Sequence, residues 1–230
     1  MIPSIVRGSV LLIPCGALLA QSPTPRPSMR VGVTTGVNWA TLAGKDAFNE
    51  SRRTAFRLGG LVVLPMTANL AFQPELIFTL KGSVEGPQGS QQTFAETYFE
   101  LPLLVRYQMT AGRVKPFVYA GPSVAHDESC NMISHDANGT NRVPCSEIVF
   151  VLGGTFNKWD AGVVVGTGLA LDVGGRVLTV SARYDHGLRT VETETDLYHR
   201  VVSLVATFEV PFTKVPEYKK PRDGVVHARQ

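Results

Sequence analysis

Side chains able to do chemistry crowd together at two places in this chain. Ser123 stands three residues before His126, and Asp185 directly precedes His186. A hydrolase needs a nucleophile, a base and an orienting acid gathered on one side of the backbone. Successive side chains of an extended strand point to opposite faces, so positions 123 and 126 are separated, as are 185 and 186. The chain is therefore read as not an enzyme. His126, Asp127, Glu128, His135 and Asp136 form a further concentration of ligand-type residues. Their spacing matches no metal-ligand pattern, and the segment reads as a solvated polar loop. No cofactor is expected either. Gly153 with Gly154, and Gly166 with Gly168, are followed by no helix that would complete a phosphate cradle. The NGT at Asn138 to Thr140 reads as a turn.

What remains is charge placed at alternate positions of apolar segments, and those segments define the elements. Turn residues divide the chain into Arg30–Ala40, Ala55–Leu64, Leu70–Gly82, Glu96–Met109, Lys115–His126, Lys158–Asp172, Arg176–Arg189 and His199–Phe212. In the last of these, Val202, Leu204, Ala206, Phe208, Val210 and Phe212 share one face, while Ser203, Thr207 and Glu209 share the other. The connections Pro65–Asn69, Thr110–Val114 and Val173–Gly175 are short, and those at Thr41–Thr54, Ser83–Ala95, Asp127–Asn157 and Thr190–Tyr198 are longer. An even number of alternating segments with short and long connections in turn is the pattern of an all-β, eight-stranded antiparallel up-and-down transmembrane β-barrel. Its short turns face the periplasm, its longer loops face outside, and both ends lie in the periplasm. Ile148–Leu152 is an apolar, β-prone run inside the longest connection. It reads as a strand extension, a cover for the barrel mouth, or an extra strand that would change the count.

Parity then sorts the charges. Arg30, Arg57, Lys81, Arg106 and Arg183 fall in the lumen with Glu75, Glu100, Asp160, Asp172, Asp185 and Glu209. An eight-stranded barrel is only wide enough inside for side chains to fill it, so these groups are expected to pair and plug the lumen. The alternative is a small pore or transporter whose lumen charges set selectivity. Trp39, Phe99 and Trp159 fall near outer strand ends, and Phe72, Tyr107, Phe117, Phe208 and Phe212 near inner ends. Two such aromatic belts are what bilayer interfaces favour.

Charge and cysteine content bound the setting. The 230 residues carry 22 Lys and Arg against 19 Asp and Glu. Residues 1–20 read as a secretory signal peptide, with Arg7 as a positive start, Ser9 to Leu19 as the apolar run and Ala20 before the cut. Lipidation at Cys15 is the rival reading, and Pro14 disfavours it. Residues 21–29 form a periplasmic segment, 30–212 the barrel and 213–230 a tail. That tail holds Lys214, Lys219, Lys220, Arg222 and Arg229 against Glu217 and Asp223. The basic balance thus comes from the tail, and no concentrated basic face for nucleic acid exists in the body. Cys130 and Cys145 lie in the longest connection of an exported chain, which implies a disulfide. Closing such a loop stabilises by roughly 3 kcal/mol.

The ordered segments VGVTTGVNWATL, LAFQPELIFTLKG, YFELPLLVRYQ, KPFVYAGPSVA, DAGVVVGTGLAL and RYDHGL together resemble the PorT-like outer-membrane β-barrel family, over Arg30 to about Phe212. The resemblance implies an eight-stranded barrel in the outer membrane of a Gram-negative bacterium, with periplasmic ends and no activity attached. Barrels of this kind often finish at a terminal aromatic, whereas here 18 residues follow Phe212. The expected partners are outer-membrane lipids, the barrel-assembly machinery during insertion, and either a surface ligand or an envelope secretion machine. Loops on a rigid scaffold carry binding surfaces, so a structural or surface-binding barrel is the leading expectation.

Overall fold

The computed structural model describes residues 28–47, 51–86, 91–109, 112–136, 139–147 and 157–212, apart from the side chains of residues 135 and 136. Its strands are β1 (Arg30–Gly44), β2 (Ser51–Pro65), β3 (Leu70–Glu85), β4 (Gln91–Gln108), β5 (Val114–Asp136), β6 (Gly139–Pro144), β7 (Trp159–Val173), β8 (Arg176–Gly187) and β9 (Leu197–Pro211). Every strand pair is antiparallel. The sheet closes because β1 pairs with both β2 and β9 while β4 pairs with β5. Eight strands make the barrel, and β6 stands outside that ring, paired to the far end of β5. Closure leaves the ring without an unpaired edge, which a hydrocarbon medium requires.

Alternation does the sorting. Along β9, Val201, Ser203, Val205, Thr207 and Glu209 are buried, whereas Val202, Leu204, Ala206 and Phe208 are exposed. Reversed against a soluble core, the large apolar side chains line the outer wall and the polar ones the interior, which is the pattern of a protein solvated by lipid. The tight turn between β7 and β8 places Gly174 and Gly175 at φ of 61° and 80°. Two positive φ angles in succession make a hairpin turn whose twist matches that of the strands, and glycine adopts it without strain. At the same rim the Phe212 amide donates to the Met29 carbonyl at 2.8 Å, so the two ends of the ring lie together.

Three of the connections expected to be long loops are mostly strand. β1 and β2 run out to Gly44 and back from Ser51, and β3 and β4 run to Glu85 and back from Gln91. β5 continues ten residues past His126 and turns into β6. Apolar alternation stops where the wall leaves the bilayer and both faces meet water, but backbone pairing carries on up the hairpins. A bulge marks the change on β5, where Thr97 pairs with Ser129 and Tyr98 with Asp127, leaving Glu128 unmatched. Ile148–Leu152 lies outside the described residues.

Candidate functional site

Parity brings ionic side chains from opposite walls into one column along the barrel axis. At the inner end Arg106 of β4 donates to Glu209 of β9 at 2.7 Å, and Arg30 donates to the other oxygen of Glu209 at 2.7 Å. Arg106 also donates to Gln73 at 3.3 Å and to Gln108 at 2.6 Å, and its guanidinium lies 4.1 Å from the centre of the Phe117 ring. Arginine suits this place because its planar fork serves several acceptors and a ring face at once.

Arg183 of β8 is the hub of the middle level. Its three nitrogens reach Glu75 at 2.7 Å, Glu100 at 3.1 Å and Asp185 at 2.6 Å. Arg57 lies 3.5 Å from Asp185 and 3.9 Å from Glu75, and Lys81 lies 3.2 Å from Glu100 and 3.7 Å from Asp160. Three cations thus serve four carboxylates in a space from which water is largely excluded. Gln73 extends the column by donating to Glu75 at 2.7 Å, which links the middle level to Arg106. Gly166 and Gly168 on β7 make the space: a Cβ at either would meet the ring of Tyr119 or Phe117 at 2.4 to 2.6 Å.

The outer level was missed in the sequence. Glu96 of β4 and His199 of β9 approach to 3.0 Å, and the Tyr98 hydroxyl donates to Glu96 at 2.8 Å. Tyr98 also stands 3.4 Å from the same His199 nitrogen, Nε2, and Lys81 sits 5.0 Å above its ring. Asp127 faces this group from β5. It lies beyond the aromatic belt, and burial together with the charge of Glu96 pushes its carboxyl up to about 6. The signal was present: Glu96 and Tyr98 share the parity of Glu100, and His199 that of Ser203. Glu96 and His199 are the first residues of the expected strands Glu96–Met109 and His199–Phe212, and the lumen assignment takes in only charges further along them.

Two expectations are corrected. Asp172 is not in the lumen; it is exposed at the end of β7, where its side chain accepts the Gly175 amide at 3.2 Å and braces the turn. Phe117 does not face lipid at the inner belt; it is buried in the lumen beneath Arg106, against Tyr119. The other aromatics expected in the two belts stand on the outer wall. Trp39 and Trp159 lie at the extracellular end, and Phe72, Tyr107, Phe208 and Phe212 towards the opposite rim. Phe56, Phe78 and Phe99 form a continuous row, with ring centres 6.2 and 5.7 Å apart.

The suspected hydrolytic pairs do not assemble. Ser123 is buried in the lumen, while His126 faces outward, 3.1 Å from Glu128 and against the Trp159 ring. Asp185 points inward to Arg183, and His186 outward to the Tyr184 hydroxyl at 3.3 Å. Among the described residues no three His, Cys, Asp or Glu side chains gather to hold a metal ion. Cys130 and Cys145 are joined, their Cα atoms 5.3 Å apart, so a covalent link ties β5 to the segment following β6.

A sequence profile for the outer membrane protein beta-barrel domain family matches residues 19–192. The chain belongs to this family. It is thus an integral protein of the outer membrane of a Gram-negative bacterium. Neisserial surface protein A is 14% identical, with a TM-score of 0.49, over 82% of this chain and all of that one. OprG of Pseudomonas aeruginosa is 9% identical with a TM-score of 0.46, over 81% of this chain and 98% of that one. Ail of Yersinia pestis is 10% identical with a TM-score of 0.41, over 80% and 99%. No curated protein sequence matches this family member.

Proposed function

We propose that this outer-membrane barrel is a structural or surface-binding protein of the PorT-like type, without catalytic activity, whose lumen is plugged by its own charges. The observation that carries the reading is Arg183, held by carboxylates from β3, β4 and its own strand. Below it, the void between Arg106, Phe117, Tyr119 and Arg183 measures about 10 Å³, close to the room one water needs. An ion crossing here would have to break pairs that have no water to replace them. Binding then falls to the outer surface, where β3, β4, β5 and β6 rise together beyond the membrane and the Cys130–Cys145 link stiffens the last of them. In this reading residues 1–20 direct export, the barrel-assembly machinery inserts the chain, and outer-membrane lipids surround it.

Planar-bilayer recording of the refolded chain tests this directly, with heat-dependent gel mobility confirming a folded barrel. A folded, silent barrel is the expected result, and steady openings would overturn the plugged lumen. One observation favours the pore instead: Arg57 Nε, Arg57 Nη2 and Asp160 Oδ1 are buried without a hydrogen-bond partner in the protein. In a pore, neutralising Glu75, Arg106 or Arg183 changes ion selectivity. The basic tail supports a third role, as an accessory to an envelope secretion machine. It lies outside the described residues, and loss of copurifying partners on truncation after Phe212 tests it.

A further inference from the structure

Carboxylates and cations are not matched along the whole lumen. In the middle level Glu75, Glu100, Asp160 and Asp185 all lie against Arg183, Arg57 or Lys81. At the inner mouth Arg30 and Arg106 share one carboxylate, Glu209. Half-buried Lys115 keeps the lumen parity of Phe117 there and pairs with buried Ala170, with no further acid beside it. Asp172, the other carboxylate near this rim, is exposed and turned to the Gly175 amide. Between the two arginines and the turn joining β2 to β3 lies a cavity of about 60 Å³, whose polar lining is Arg30, Arg106, Gln108, Thr67 and Asn69. We propose that this cavity is a phosphate-binding site at the periplasmic mouth of the lumen, taking inorganic phosphate or the phosphate of a lipid headgroup.

The argument rests on what the lining can offer. Among the described residues that line the cavity there is no carboxylate, and what faces it is a set of donors. Arg106 is 2% exposed, and its Nε is buried without a hydrogen-bond partner in the protein. Nε and Nη2 share one edge of a guanidinium fork, and Nη2 of Arg106 donates to Gln108 Oε1. The unpartnered Nε–H therefore lies on the Gln108 side, which is the cavity side. Arg30 donates to Glu209 through Nε, so the two terminal nitrogens of its fork are left for a ligand. Thr67 Oγ1 already accepts the Asn69 and Leu70 amides at 3.3 and 3.0 Å, so its own proton can only be donated elsewhere. Gln108 receives Arg106 on its oxygen and keeps its amide nitrogen as a further donor.

These donors come from β1, β4 and the β2–β3 turn, that is, from several sides of one space. A tetrahedral oxyanion can accept from all of them, whereas a carboxylate or a chloride leaves part of the set unmet. Arginine forks match phosphate oxygens in pairs. The volume corresponds to roughly four waters, which suits a phosphate group. Arg30, Arg106 and Glu209 together carry one positive charge in excess where water is scarce, and there an anion is held more strongly than in bulk solvent. The site opens at the mouth, so it stands whether or not the lumen conducts.

The test uses the full chain, refolded in an uncharged detergent so that the mouth meets solution, with equilibrium dialysis against two radiolabelled probes. One is inorganic phosphate and the other is glycerophosphoglycerol, a lipid headgroup without its chains. Saturable uptake of one phosphate per chain is expected, and the probe that binds more tightly identifies the source. Arg30→Gln should weaken uptake by about tenfold or more, the effect of losing one charge-assisted hydrogen bond. Gln108→Glu places a carboxylate beside Arg106 and should abolish uptake without loss of the fold, so it carries the test if heat-dependent gel mobility shows that Arg30→Gln does not fold. Arg176→Gln, on the exposed start of β8 outside the cavity, should leave uptake unchanged. Failure of both probes to bind saturably, uptake that survives Gln108→Glu, or an equal loss in Arg176→Gln would overturn the site.

Discussion

Arg106 and Glu209 meet at 2.7 Å although 103 positions separate them in the chain. They come from opposite sides of the ring, so this one pair fixes the bore at the inner end. Removing one partner of a buried pair leaves the other uncompensated and costs about 3–5 kcal/mol. Arg106→Met should fall at the lower end, because Arg30 still serves Glu209. Denaturant unfolding in vesicles gives the value. Combining Arg106→Met with Glu209→Gln should recover part of the loss, since no buried charge is then orphaned. A double variant no more stable than Arg106→Met alone would show that the pair acts through packing rather than charge.

The outer wall makes a different prediction. Leu204 sits at the middle of β9, is 51% exposed, and pairs with Val37 on one side and Ala182 on the other. In water such exposure would make substitution nearly neutral. At a bilayer midplane an arginine costs about 2–4 kcal/mol. Leu204→Arg should therefore destabilise the barrel by that amount, whereas Thr41→Arg on the extracellular part of β1 should cost little. The difference between the two unfolding free energies measures how deep Leu204 lies.

The disulfide should act locally. Cys130 and Cys145 close a stretch of 15 residues on the extracellular side of β5. The ring strands do not pass through that stretch, apart from the upper part of β5 itself. Replacing both cysteines by serine should leave the heat-dependent gel shift of the barrel intact. Cleavage by an external protease between residues 130 and 147 should rise, by a factor set by the roughly 3 kcal/mol that loop closure contributes. Loss of the folded gel band would instead give the link a role in assembly of the ring.

Most of the ring was legible in the sequence because one physical rule governs it. Where one face meets lipid and the other a narrow lumen, every second residue must be apolar, and Val202 to Phe208 follow that rule without exception. The rule fails at both ends of a strand. Asp172 keeps the parity of a lumen residue, but β7 has already reached the rim, and a carboxylate there turns to the hairpin amide. Arg52, Ser83, Gln92 and Ser129 are paired in strands that read as loops, because above the bilayer neither face needs to be apolar. Asp127 is hidden for the same reason, whereas Glu96, Tyr98 and His199 lie inside expected strands, at or near their first residues. Each lies at a boundary, and only the register of β4 against β5 and the closure of β9 on β1 bring the four together.

Asp127 gives that boundary a measurable pH dependence. Burial, reinforced by the charge of Glu96, raises its carboxyl from the ordinary 3.8 to about 6. Between those values the folded barrel holds a proton that the unfolded chain has released, so the group's stabilising effect is complete below about 4 and is lost as pH rises through about 6. The denaturant midpoint of the barrel should accordingly fall between pH 5 and pH 7. Asp127→Asn removes the titrating group and should flatten this part of the profile while leaving the midpoint at pH 5 nearly unchanged, because the protonated acid and the amide are alike in charge. A profile of the same slope in the variant would show that the pH dependence does not come from Asp127.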